Sequence, residues 1–341
     1  MMKSRRIVVL LMIFAQQGFA QSLHFKTTLM NNTDMFRGLS VVDDSVVWAS
    51  GKNGVVLNSV NGGRTWVYVN VKGFEKLDFR SLYAMNARKA VIANAGSPAY
   101  IMRTKDGGGS WDVAYTNGDT NAFIDGIDFW NEQDGIAYGD ALNGRMLLLK
   151  TSDGGKTWRE MKKQSRPMLE QGEASFAASG TGIRCYGKYQ VIISTGGKVS
   201  RLFVSNDRGE TWTDYKPPVM QGENSAGIFS LAFASEADGM IVGGDYLKNT
   251  VAENHAFYTR DGGKTWSKPG TTPGGQRECV EYIGPGVLVA SGVTGMDVSH
   301  DGGASWMAVA EQKDFAVVRK ARKGKLVVAA GKGKIASITQ E

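Results

Sequence analysis

The chain is poor in the residues from which most cofactor and metal chemistry is built. Its two cysteines, Cys185 and Cys279, lie 94 residues apart, so neither a disulfide scaffold nor a CxxC or zinc spacing exists. Both are expected to be free thiols. There are three histidines, His24, His255 and His300, and no HExxH, which leaves a His-rich metal centre without ligands. Proline is down to seven residues, while glycine reaches 44 of 341 with no three-residue period, which excludes a collagen-like chain. No GxGxxG, Walker loop or GxSxG occurs, so dinucleotide, phosphoryl-transfer and serine-hydrolase chemistry have no support. The expected cofactors and metals are none. With 42% hydrophobic and 21% charged residues, the chain can bury a sizeable core.

Long apolar runs are also missing. The longest, Ile7 to Ala15, is nine residues, far short of the roughly 20 needed to span a bilayer as a helix. It follows Lys3, Arg5 and Arg6 and precedes Gly18-Phe19-Ala20. A basic start, an apolar middle and small residues before the cut are the marks of a secretory signal peptide, expected to be removed after Ala20. The reading is therefore residues 1–20 as a signal peptide and 21–341 as one exported domain, secreted or periplasmic, with no membrane span.

The formal net charge of +7 falls by three to +4 when residues 1–20 are removed, because they carry three cations and no acid. Residues 313–334 hold eight Lys or Arg against Asp314 alone. Such a cluster attracts polyanions in principle, but with export expected and no recognition motif it reads as a solvated strand surface, and no nucleic-acid partner is expected.

What the chain has in abundance is repetition. One octapeptide occurs six times: SVNGGRTW (59–66), TKDGGGSW (104–111), TSDGGKTW (151–158), SNDRGETW (205–212), TRDGGKTW (259–266) and SHDGGASW (299–306). The tryptophans are 45, 47, 54, 54 and 40 residues apart, a period that signals a solenoid, propeller or array. The box has the chemistry of a hairpin turn. Its third residue, Asn61, Asp106, Asp153, Asp207, Asp261 or Asp301, can accept amide hydrogen bonds from its own turn. Its fifth is always glycine, which permits positive φ. The tryptophan then opens the next strand and is expected to bury its ring between repeats. Asn61 keeps the acceptor without the charge, so these residues read as structural.

The segments between boxes read as short strands. In the first unit these are FRGLSVV, VVWASG, VVLNSV and TWVYVNV, four strands per unit. After Trp306 come three more, FAVVRKA, KLVVAAG and GKIASI, with no box, and one orphan strand, LHFKTTLM, sits at Leu23–Met30. Three plus one completes a seventh unit. The expected fold is an all-β, seven-bladed β-propeller of four-stranded antiparallel blades, closed by the N-terminal strand joining the last blade. Closure removes the edges an open ring would expose.

The octapeptide matches the Asp-box, or bacterial-neuraminidase, repeat. The unit GKNGVVLNSVNGGRTW resembles the photosystem II stability/assembly factor-like family of exported bacterial proteins, over essentially residues 23–341. That resemblance implies boxes between third and fourth strands, away from a ligand mouth built by the fourth-to-first and second-to-third connections. Propellers of this kind also include sialidases, xyloglucan-cleaving hydrolases and sortilin-type receptors, so the fold leaves the function open.

On the implied mouth, polar residues appear that the fold does not require. QGEAS and QGENS, 50 residues apart, place Glu173 and Glu223 ahead of the inner strands of blades four and five. Gly139-Asp140 and Gly244-Asp245 follow second strands, and Phe36-Arg37 and Phe79-Arg80 begin inner strands. FIDGID adds Asp125 and Asp128, TGG (195–197) adds backbone donors, and 246–255, starting at Tyr246, is a long rim loop. The candidate ligand-binding residues are thus Arg37, Arg80, Asp125, Asp140, Glu173, Glu223, Asp245 and Tyr246. Their bland alternative is salt bridges and turn bonds between blades. For an enzyme the candidates are Glu173, Glu223 and Asp125, since glycoside cleavage needs two carboxyls about 5–9.5 Å apart. A sialidase is disfavoured, because Gly38-Leu39 follows Arg37 where Ile-Pro is expected and no matching downstream arginines occur. The expectation is a non-catalytic, monomeric propeller binding a protein, peptide or glycan at its mixed-charge mouth, with the resemblance pointing to an assembly or scaffolding factor and a glycoside hydrolase as the alternative.

Overall fold

The structure, a computed structural model, describes residues 22–30 and 34–340. The expected signal peptide lies outside the described residues. Seven antiparallel sheets follow one another along the chain. The first blade is Phe36–Val41, Val47–Gly51, Val55–Ser59 and Val67–Asn70, paired in that order, and the pattern repeats around the ring. The inner strands of blades two to seven are Phe79–Ala84, Gly126–Phe129, Ile183–Tyr186, Ala226–Phe233, Cys279–Gly284 and Phe315–Lys320. Each packs against the next, and the seventh packs against the first, so the ring is closed.

Closure is made as the sequence predicts. Leu23–Leu29 pairs along its full length with Lys334–Gln340, giving the last blade its fourth strand from the opposite terminus. Phe25 and Leu23 pack onto the cluster shared by blades seven, one and six, beside Val327, Ile335 and Ile338. The inner three strands of each blade are almost wholly buried, because every sheet is covered on both faces by its neighbours. That accounts for apolar runs such as Met146–Leu149 in place of strict alternation.

Blade five departs from the regular plan. Its fourth strand shrinks to one bridge, Tyr258 to Ser267, because Pro269 soon follows and cannot extend the ladder. At its inner edge two extra segments, Glu173–Ala174 and Gly196–Gly197, join the sheet and make it five-stranded.

The boxes behave as turns. In the third, Asp153 Oδ1 accepts from the Thr157 amide at 3.0 Å, Asp153 Oδ2 from the Thr157 hydroxyl at 2.7 Å, and Thr151 Oγ1 from the Gly155 amide at 3.0 Å. The same bonds recur at Asp106, Asp207, Asp261 and Asp301, and Asn61 reproduces the amide contact with Thr65. Donation by the box hydroxyl and amide pulls Asp106, Asp207 and Asp261 down to about 2. Burial of the box tryptophans is less uniform than expected. Trp158 and Trp306 are buried, whereas Trp66, Trp111, Trp212 and Trp266 are half-buried at blade margins. Cys185 and Cys279 are free, on inner strands of blades four and six.

Candidate functional site

The site is built from a feature repeated in six of the seven blades, all but the fourth. Where an inner strand begins, it bulges against the end of the second strand. Phe36 pairs with Gly51 and Gly38 with Ser50, leaving Arg37 as the extra residue. Arg80, Phe229 and Ala316 occupy the same place in blades two, five and seven. In blades three and six the close approaches of Gly139 to Ile124 and of Gly292 to Arg277 put Asp125 and Glu278 there. A bulge turns its extra side chain out of the pleat, here toward the axis.

The glycine opposite the bulge permits this approach. A Cβ on Gly139 would lie 1.7 Å from the Phe123 carbonyl oxygen, one on Gly243 1.8 Å from that of Gly227, and one on Gly331 1.9 Å from that of Asp314. Gly139 is therefore the counterpart of Gly243, not of Gly244. The Gly-Asp pairs read from the sequence are one residue out of register, so Asp140 and Asp245 are not equivalent.

Five bulge residues, Arg37, Arg80, Asp125, Phe229 and Glu278, line one cavity of about 450 Å³ on the propeller axis. Asp140, Tyr246, Phe123 and the segment 175–178 complete it. Five of the eight candidates from sequence thus come together. By antiparallel geometry the third strands run away from this cavity, so the boxes lie at the opposite end.

The other three stand elsewhere. Glu173 is buried outside the cavity, gripped by Arg201 at 2.5 Å and by the Thr195 hydroxyl at 2.6 Å. Glu223 is exposed beside Lys198 at 3.8 Å. Asp245 is buried as a turn acceptor for the Leu247 amide at 2.9 Å. QGEAS and QGENS are not equivalent: Glu173 pairs with Gly197 ten residues before its blade's inner strand, whereas Glu223 lies three residues before Ala226. The pair offered for hydrolysis is therefore not assembled at the mouth. Gly196 and Gly197 are taken up by strand pairing with Ala174 and Glu173. Asp128 lies at the far end of the channel, in a second cavity of about 210 Å³ lined by all seven blades. There Arg184 and Arg319 converge on Glu281 at 2.8 and 3.5 Å, and burial, opposed by Arg184, brings Glu281 up to about 7. Arg319, Lys320 and Arg322 of the basic C-terminal run face this cavity, which corrects the reading of that run as purely solvated.

In the mouth the two arginines are neutralised. Arg37 Nη1 meets Glu278 Oε2 at 2.9 Å and donates to the Ala178 carbonyl at 2.6 Å. Arg80 Nε meets Asp78 Oδ2 at 2.8 Å. Burial pushes Glu278 upward despite Arg37. Asp125 is fully buried, and neither carboxyl oxygen has a hydrogen-bond partner. Burial, then repulsion from Asp140, holds its carboxyl well above the ordinary range, with Arg80 and, more weakly, the Asp140 backbone amide, which falls short of good hydrogen-bond geometry, pulling the other way. Asp140 is also raised by burial, although its Oδ1 accepts from the Ser175 amide at 2.8 Å. In the same cavity, Phe176 and Phe229 stack at 4.1 Å, and Tyr246 stands edge-on to both at 6.2 and 6.4 Å. Glu278, Phe229, Phe176 and Phe123 were not singled out from sequence. Arg37, Arg80 and Ala316 are second in their strands, but Asp125 and Glu278 directly precede theirs and Phe229 is fourth in its own, so no fixed offset marked the bulge position in the sequence. Among the described residues, no group of three or more His, Cys, Asp or Glu is placed to hold a metal ion.

The BNR/Asp-box repeat family matches residues 257–268, the fifth box and its flanks. No curated protein matches the chain in sequence. Among solved structures, one of YCF48 bound to D1 peptide is similar over 93% of this chain and 97% of that one, at 14% identity and a TM-score of 0.67. YCF48 from Cyanidioschyzon merolae is similar over 92% and 98%, at 13% identity and a TM-score of 0.68. The GH74 xyloglucanase from Xanthomonas campestris is similar over 92% of this chain and 53% of that one, at 14% identity and a TM-score of 0.60. The chain is an Asp-box β-propeller of seven blades, sharing its fold with the YCF48 structures.

Proposed function

We propose that this protein is a binding propeller that takes a protein or peptide segment at the mouth cavity and catalyses no reaction on it. The observation that carries the reading is the convergence of bulge residues from five blades on one cavity. Bulges re-aim side chains and are over-represented beside binding sites, so the shared aim of five of them at one cavity favours a ligand. An aromatic wall in one cavity with charged groups suits a peptide, whose side chains and amides offer both apolar and polar partners. The likeness to a propeller described as bound to a peptide supports the choice. An assembly or scaffolding role, a monomeric state and a place outside the cytoplasm belong to the same proposal, the last resting on residues 1–20. N-terminal sequencing of the exported protein is expected to begin at Gln21; a start at Met1 would count against export by cleavage.

The alternative is a glycoside hydrolase, favoured by one observation: Asp125 and Asp140 sit together, both raised above the usual carboxylate range. The two readings separate on one preparation. A positional-scanning nonapeptide library passed over the immobilised protein is expected to yield an enriched sequence, with retention reduced at least tenfold by Arg37→Gln. No enriched sequence would defeat the peptide reading. Release of product from aryl glycosides, abolished by Asp125→Asn, would replace it with the hydrolase.

A further inference from the structure

The mouth carries more acid than its own cations can neutralise. Around the cavity, Arg37 and Arg80 face four carboxyls: Glu278, Asp78, Asp125 and Asp140. Glu278 and Asp78 take the two arginines at 2.9 and 2.8 Å. Asp125 and Asp140 remain, side by side and without a cation in contact.

Asp125 is the sharper anomaly. It is 0% exposed and lines the cavity, yet both its oxygens lack a partner. An unpaired buried carboxyl is costly in general, and departures of this kind from well-paired packing concentrate at functional sites. The position does not demand an acid for folding. The same bulge position holds Arg37, Arg80, Phe229, Glu278 and Ala316 in other blades.

The aromatic wall narrows the ligand's chemistry. Phe176, Phe229 and Tyr246 line the same cavity with stacked and edge-on rings. Aromatic faces and carboxyls together favour a group that is both positively charged and able to lie against a ring.

We propose that the mouth cavity receives a cationic side chain of a bound peptide, a lysine ammonium or arginine guanidinium, between the Asp125 and Asp140 carboxyls and the Phe176, Phe229 and Tyr246 wall. This rests on the peptide-binding reading above and names the residue that anchors the ligand. The carboxyls accept the hydrogen bonds of the incoming cation, and the rings exclude water around its stem. The neutralised arginines hold the cavity's shape without repelling the guest.

The test uses the same nonapeptide library, followed by fluorescence anisotropy on the best sequence and on its Lys, Arg, norleucine and Glu versions at the enriched position. One position is expected to be enriched in Lys or Arg. The cationic versions are expected to bind at least tenfold more tightly than norleucine or Glu, the better of the two identifying ammonium or guanidinium. Asp125→Asn is expected to abolish that preference while leaving Tm unchanged or higher, because it removes a buried carboxyl that no cation in the protein contacts. A fall in Tm would reveal a structural role for the carboxyl and count against the proposal. Asp140→Asn, at a half-buried position, gives a second reading of the same preference. Peptides that bind with no cationic preference, or whose preference survives both substitutions, would overturn the proposal and leave mouth binding intact. A library with no enriched sequence would overturn both.

Discussion

Trp158→Ala is expected to destabilise the protein by about 3–5 kcal/mol, the usual cost of deleting a buried aromatic ring and leaving its cavity. The ring is 5% exposed and meets Phe129 edge-on at 5.7 Å. It is packed among Val91, Ile101, Ala137 and Leu149, from blades two and three, so its loss opens a seam between blades rather than a surface dimple. The indole nitrogen has no acceptor, so truncation strands no hydrogen-bond partner and the loss is one of packing. Trp212→Ala should cost less, because that ring is half-buried, though its nitrogen donates to the Ser165 and Gly209 carbonyls at 3.0 Å each. Urea unfolding of both variants at pH 7 measures the difference. A Trp158→Ala cost under about 1 kcal/mol would contradict the packing described here.

The second large effect is expected at an ion pair no sequence pattern announced. Arg277 and Asp297 are 2% exposed each, joined from Nε to Oδ2 at 2.6 Å and from Nη2 to Oδ2 at 2.5 Å. Arg277 also donates to the Gln276 carbonyl and the Thr294 hydroxyl at 2.9 Å each, and the Gly274 amide donates to Asp297 at 3.2 Å. Asp297→Ala leaves a guanidinium buried without its counter-charge, which costs about 3–5 kcal/mol. Arg277→Met with Asp297→Leu removes both charges and should recover most of that loss, since the burial penalty goes with them. A double-mutant cycle checks the pair. Single-variant costs below about 1 kcal/mol that simply add would mean the two groups are not coupled.

The architecture was legible because its determinants are local. An Asp or Asn two residues after a Ser or Thr, a glycine two further on and a terminal tryptophan specify one turn wherever they occur, and Asp153 and Asp207 make the same bonds 54 residues apart. Counting those turns, then pairing the unboxed tail with Leu23–Leu29, yields seven blades and the closure observed. Half-burial of Trp66 and Trp266 was not legible, because it depends on how far the adjoining blade reaches.

The mouth was legible only in part. Arg37 and Arg80 stood out through their shared Phe-Arg context, and both line the cavity. Glu173 and Glu223 stood out through shared neighbours too, yet one is held by Arg201 and the other is exposed at the surface. Similar words place side chains alike only when the strands they introduce start at the same offset. Glu278 escaped notice because its context, REC, matches FRG or FRS at no position, although its backbone position is the same.

By itself the sequence determined the turn chemistry, the number of blades and the terminus that closes the ring, since each follows from short-range spacing and strand pairing. The tertiary structure decided which charges meet on the axis. That depends on a one-residue bulge where six of the seven inner strands begin and on the glycine that lets two backbones come close. Burial then left Asp125 unpaired while neutralising Arg37 and Arg80, an outcome of three-dimensional packing among five blades that no stretch of chain encodes alone.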